Sequence, residues 1–259
     1  MIECAGVTVS LGNRDVLAGV DLKVARGEWV SIVGRNGAGK STLLRYLAGL
    51  VPGTGEVHLD GRPAAALSRR QRSQLVALVS QSPVVPDGAR VLDYVLLGRS
   101  PHIRTLGFEG AQDLAAVYDA LERLDLLDFA DRQVTTLSGG ERQRVFIART
   151  LAQGAPIVLL DEPTTAMDVG HQQQVLELVD SLRRQHDLTV LMTMHDLTLA
   201  GQYAERLALI DDGRIVVEGA PAHVLTEDNL ARHYGARVRI IHDGGRLGVL
   251  PFREEGIRD

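Results

Sequence analysis

The run Gly34-Arg35-Asn36-Gly37-Ala38-Gly39-Lys40-Ser41-Thr42 has the spacing G-x-x-x-x-G-K-[ST]. Glycines at these positions let a backbone curl around an anion with several N–H groups turned inward, and a helix starting at the lysine adds its positive end. The Lys40 ammonium would then reach the outer phosphates of a nucleoside triphosphate, and Ser41 would offer its hydroxyl to Mg²⁺. The plainer reading is a glycine-rich turn before an ordinary helix. Only Lys23 and Lys40 among the 28 basic residues are lysines, so the chain's own residue frequencies give roughly 0.002 chance matches to this pattern.

Two further clusters can do chemistry. Ile157-Val158-Leu159-Leu160 is a compact apolar strand followed by Asp161 and Glu162. Carboxylates at the C-terminal end of a buried strand lie where parallel α/β sheets hold ligands. Asp161 suits Mg²⁺ held through water, and Glu162 suits orienting or deprotonating an attacking water. Leu137-Ser138-Gly139-Gly140-Glu141 opens a helix that runs on through Arg142, Gln143 and Arg144. It reads either as a second anion site, built from N–H groups, a hydroxyl and a helix N-terminus, or only as a capping box of Ser138 and Glu141.

The elements that must position these residues alternate in kind. The first 30 residues read as short antiparallel strands with turns at Leu11-Gly12-Asn13 and Arg26-Gly27. Trp29 to Val33 reads as a strand, Lys40 to Leu50 as a helix and Thr54 to Gly61 as a strand. Leu114, Val117, Leu121 and Leu124 recur at three- and four-residue steps and predict an amphipathic helix, as do Val175, Leu178, Val179 and Leu182. Further strands are predicted at Thr189 to Met194, Leu207 to Ile210 and Ile215 to Val217, and a short helix over Ala222 to Tyr234. Strands alternating with helices predict an α/β fold with a mainly parallel sheet, an N-terminal antiparallel β region and an inserted helical subdomain. The expected division is one domain over 1–259, with a core of 1–82 and 154–220, a helical part of 83–153 and a short extension of 221–259.

Composition bounds the rest. In 259 residues, 45% are hydrophobic and 24% charged, which argues against a disordered, collagen-like or coiled-coil chain. No apolar run nears the roughly 18 residues of a membrane span, and the opening MIECAGVTVS lacks the pattern of a secretion signal. The one cysteine, Cys4, allows no internal disulfide, and a reducing cytosol is the simplest home. A net charge of −5 weighs against a nucleic-acid partner. Arg69-Arg70-Gln71-Arg72 reads as a solvated helix face with no binding role.

In this order, the three clusters resemble the ATP-binding subunit of an ABC transporter, over about Ile2 to Phe252. LSGGERQR followed by IVLLDEPTTAMD carries the resemblance. It implies a P-loop NTPase fold, ATP and Mg²⁺ as cofactors, and a head-to-tail dimer with a second copy. In such a dimer Ser138, Gly139, Gly140 and Glu141 would contact the γ-phosphate held by the partner, so the anion reading of that loop prevails. The resemblance also implies that Gln81 senses Mg²⁺ and the attacking water. Asp168, in Thr164-Thr165-Ala166-Met167-Asp168, would communicate across the dimer, and His195 would contact the γ-phosphate. Taken alone, these three would read as a strand-end polar residue, a helix cap and an incidental histidine. One departure stands out: where the family usually stacks an aromatic on adenine, this chain has Leu11, which offers contact area but no π face.

The segment VLDYVLLGRSPHIRTLG, residues 91–107, resembles its counterpart in importer ATPases for ferric siderophores, haem and cobalamin. Leu97-Gly98-Arg99-x-Pro101-His102 carries most of that likeness, with Gly219-Ala220-Pro221, Val224-Leu225-Thr226 and Tyr234-Gly235 near the end. The resemblance implies docking on integral membrane permease subunits at the cytoplasmic side of the inner membrane. A periplasmic or extracellular substrate-binding protein would act indirectly. A soluble ABC ATPase serving assembly, as in iron–sulfur cluster biogenesis, is the alternative.

Overall fold

The computed structural model describes residues 1–104, 107–165, 167–244 and 246–252. Thr105 and Leu106 of the 91–107 segment, Ala166 of the 164–168 run and positions 253–259 of the extension lie outside the described residues.

Strands β1 (Ile2–Leu11) and β2 (Arg14–Val24) pair antiparallel, longer than expected and interrupted by bulges. β3 (Trp29–Val33) leads into α1 (Lys40–Leu47). The helix predicted to Leu50 stops at Leu47. There the Arg72 guanidinium, on α2 (Arg69–Leu75), donates to the carbonyls of Tyr46 at 2.6 Å and Leu47 at 2.9 Å, which satisfies groups a helix end leaves open. The arginine run is therefore not simply a solvated face. Arg70, though exposed, also donates to the carbonyls of Pro101 and His102. The strand predicted over Thr54 to Gly61 is β4 (Thr54–Leu59), and the turn Asp60-Gly61 hands it on to the short β5 (Arg62–Pro63).

After β6 (Val76–Val79) come α3 (Val91–Leu96), α4 (Ala111–Arg123) and α5 (Gly139–Gln153), inserted before β7 (Ile157–Asp161). On α4, Val117 and Leu121 are buried as predicted, and so is Leu124 just beyond its end, while Leu114 is partly exposed. Then follow α6 (Val169–His186), β8 (Thr189–Thr193), α7 (Leu197–Tyr203), β9 (Arg206–Asp211) and β10 (Arg214–Gly219). The predicted helix after Ala222 is broken into short turns, followed by a hairpin of β11 (Val238–Asp243) and β12 (Arg246–Pro251).

The main sheet has the order β10-β9-β3-β8-β7-β6, parallel from β9 to β6. A second, antiparallel sheet has the order β2-β1-β4-β5. Every residue of β3, β7 and β8 is buried. Alternation assigns them to two cores. Val30, Ile32, Ile157 and Leu159 pack with α1 and the antiparallel sheet. Trp29, Val33, Val158 and Leu160 pack with the helices of the other face.

Candidate functional site

Strand order brings the distant residues together. β3, β8, β7 and β6 are neighbours and run parallel, so the segments leaving their C-terminal ends meet at one edge. These are residues 34–41 after β3, 193–195 at the end of β8, 161–162 at the end of β7, and Gln81 shortly after β6. A cavity of about 340 Å³ there is lined by Asn36, Gly37, Gly39, Lys40, Ser41, Thr42, Gln81, Glu162, His195 and Val16.

The loop after β3 packs tightly on the antiparallel sheet. A side chain on Gly39 would lie 2.8 Å from the Val16 carbonyl, and its φ of +108° disfavours any other residue. Ala38 is buried, whereas Arg35 and Asn36 face solvent. The buried Lys40 ammonium donates to the Gly34 carbonyl at 2.7 Å and to that of Arg35 at 3.2 Å. Burial holds its pKa below the ordinary lysine value, partly offset by the charges of Glu162 and Asp161.

Across the cavity, the Ser41 hydroxyl donates to Asp161 at 2.8 Å. Thr193 Oγ1 donates to the same carboxylate oxygen at 2.8 Å and accepts the Glu162 amide at 2.9 Å. Thr193 thus locks both acids, and sequence reasoning missed it; its one signal is a hydroxyl closing the apolar strand Thr189–Thr193. Glu162 has φ +51°, a left-handed conformation that costs a non-glycine residue about 1–2 kcal/mol. That turn aims its carboxylate into the cavity. One oxygen lies 2.5 Å from His195 Nε2; the other accepts from Gln81 Nε2 at 2.6 Å and from the Thr165 hydroxyl at 3.4 Å.

Such a set can hold a polyphosphate on backbone N–H groups and Lys40, and can present a carboxylate to water. The Ser41 and Asp161 oxygens, adjacent and joined at 2.8 Å, form a hard donor set. With few protein ligands and room for phosphate oxygens, it fits Mg²⁺.

The other sequence candidates stand elsewhere. Ser138 caps α5: its hydroxyl accepts the Glu141 amide at 3.3 Å, and the Glu141 carboxylate turns back to the Ser138 amide at 2.8 Å. The bond from the Ser138 amide, with the Ser138 hydroxyl beside it, holds the Glu141 carboxyl below its usual pKa. Ser138, Gly140 and Glu141 line a separate cavity of about 550 Å³ with Arg144 and His171; Gly139 is exposed beside it. Asp168 caps α6, accepting the His171 amide at 2.9 Å with His171 Nδ1 at 2.6 Å, and these bonds lower its pKa. Leu11, at the end of β1, is 49% exposed and is not among the residues lining the first cavity. Val16, unremarked in the sequence, does line it.

A phosphate-gripping loop at the sheet edge, with an acid pair beside it, defines a P-loop nucleoside triphosphatase. Residues 17–165 match the ABC transporter family, and the chain belongs to it as an ATP-binding, ATP-hydrolysing subunit. It is 42% identical to a hemin import ATP-binding protein of Myxococcus xanthus, over 98% of this chain and 97% of that one. It is likewise 42% identical to a probable siderophore transport system ATP-binding protein of Bacillus subtilis, over 91% and 87%. Among solved structures, a chain of an inward-facing ABC transporter assigned to the metal-chelate type superposes with a TM-score of 0.85 at 28% identity, over 98% of both chains. A dimeric ATP-binding cassette in a post-hydrolysis state with ADP and phosphate superposes at 0.73 with 30% identity, over 85% of this chain and 99% of the other. Among the described residues no helix is long and apolar enough to cross a membrane.

Proposed function

We propose that this chain powers an importer of a metal chelate (ferric siderophore or haem) or of cobalamin. Two copies act head to tail, docked on permease subunits at the cytoplasmic face of the inner membrane, with a substrate-binding protein on the far side. The relatives named for hemin and siderophore transport support this reading and lend none to an assembly factor. The ATPase core comprises 1–82 and 154–220, the helical part 83–153 and the extension 221–259.

The N–H groups of the Gly34 to Thr42 loop and the Lys40 ammonium grip the phosphates of ATP. Ser41 and Asp161, with Gln81 beside them, would hold Mg²⁺, which when bound neutralises phosphate charge. Glu162 orients the attacking water and accepts its proton. His195 donates to the γ-phosphate, leaving one Glu162 oxygen free for that water. Ser138, Gly139 and Gly140 of the second copy close over the same phosphate, while Asp168 signals between the two sites. Once the phosphate leaves, that bridge is lost and the pair opens.

The observation that carries the reading is Glu162, held between Gln81 and His195 at the mouth of the Lys40 cavity. Replacing Glu162→Gln should leave ATP binding within about twofold, slow phosphate release at least a hundredfold and let an ATP-bound dimer accumulate. Phosphate release and light scattering measure this; hydrolysis at the native rate would refute the role.

A further inference from the structure

The turn Leu97-Gly98-Arg99-x-Pro101-His102 carries a subclass likeness but no nucleotide chemistry, and along the chain it lies well apart from both glycine-containing loops. Its contacts give it a task. A side chain on Gly98 would lie 2.2 Å from the Arg149 carbonyl, so glycine lets the turn lie directly on α5. Arg99 donates to the Ala152 carbonyl at 2.8 Å and pairs with Asp113 of α4 at 3.0 Å. His102 Nε2 lies 2.8 Å from the Gln153 carbonyl. The last carbonyls of α5, otherwise open, are thus capped by side chains suited to the negative end of a helix.

From the same helix end, Gln153 Nε2 donates to the carbonyls of Ser73 at 2.6 Å and Val76 at 3.0 Å, where α2 passes into β6. Arg70 and Gln74 of α2 donate back to the Pro101 carbonyl, each at 2.9 Å. The end of α5 is therefore clamped to the strand that leads to Gln81, while its other end carries Ser138. α5 has 15 residues, about 22 Å at 1.5 Å each. A 10° tilt about the clamped end would swing Ser138 by about 4 Å, more than a hydrogen bond tolerates.

We propose that Arg99, His102 and Gln153 are positioning residues: a clasp that sets the tilt of α5 against β6, and so places Ser138 for the partner copy's phosphate. This rests on the reading that Ser138 completes a partner's site. It assigns the 97–102 motif a mechanical role inside the subunit.

Spin labels on Arg142→Cys of α5 and Glu56→Cys of β4, both exposed positions, would report by double electron–electron resonance in the full chain how far the Ser138 end of α5 strays from the core. Cys4 does not compete, because it is buried and its thiol is pushed up to about 12. The label distance should be narrowly distributed in the otherwise native chain. It should broaden with Arg99→Met or Gln153→Met and narrow again with Arg99→Lys, which keeps a donor. Monomer affinity for ATP should stay within about twofold, while ATP-driven pairing in the Glu162→Gln background should weaken about tenfold. If Gln153→Met does not fold, His102→Leu tests the clasp from its other side. Unchanged distances in Arg99→Met, or ATP affinity lost in step with pairing, would overturn the proposal. If the Glu162→Gln parent itself fails to pair, the head-to-tail reading is what fails, and the label distances still judge the clasp.

Discussion

Two loops in this chain start from the same backbone physics, a glycine-containing turn opening onto a helix, and end with different equipment. The Gly34 to Thr42 loop surrounds a buried lysine and faces an acid pair fixed by Thr193. The loop before α5 has no lysine, lies at the surface, and spends its serine and glutamate on capping its own helix. The cavities at the two loops share no lining residue. One loop gathers a lysine and two acids but stays open to solvent; the other offers a capped helix start with no lysine beside it. On the proposed reading neither suffices alone, and a second copy would unite them.

The sharpest way to break this comparison is to disable each loop in a different copy. Lys40→Ala alone should abolish ATP binding and hydrolysis, and Ser138→Arg alone should keep ATP binding and lose hydrolysis. Mixed in equal amounts, the two inactive chains should regain about one quarter of native phosphate release, since half the pairs are mixed and each mixed pair contains one intact site. No recovery in the mixture would mean that the loops do not meet across a pair.

Thr193→Val sharpens the first half of the comparison. The change keeps the shape and strips the hydroxyl from a buried acid and a buried amide, which should cost about 1–3 kcal/mol of stability by denaturant melt. Loosening Glu162 should also lower phosphate release roughly tenfold. The smallest effect should come from Leu11→Tyr. If adenine lies against this strand end, a π face should tighten ATP about three- to tenfold in a fluorescent-nucleotide titration; no change would place adenine elsewhere.

Much of the site was legible because its chemistry is local. A phosphate loop needs glycines, a lysine and a hydroxyl within nine residues, and an acid pair needs one apolar strand before it. The links that lie across the sheet were not legible. Thr193 is 31 residues from the Glu162 amide it accepts and 32 from the Asp161 it bonds, and only the β7-β8 pairing makes them neighbours. Arg72 looked like surface charge because its partners, the carbonyls ending α1, belong to no side-chain pattern. The 97–102 turn was visible as a motif, but its purpose lay in the carbonyls of a helix some fifty residues on.

Period, turn chemistry and motif spacing along the chain are enough to specify most of the central strands and helices, the phosphate loop and the two carboxylates that end the strand before Pro163, since each depends on residues close in sequence. Strand order, the hydroxyl that locks the acids, and the clamp at the end of α5 arise only when distant segments pack. Backbone carbonyls and buried neighbours look alike in every sequence until the tertiary structure places them.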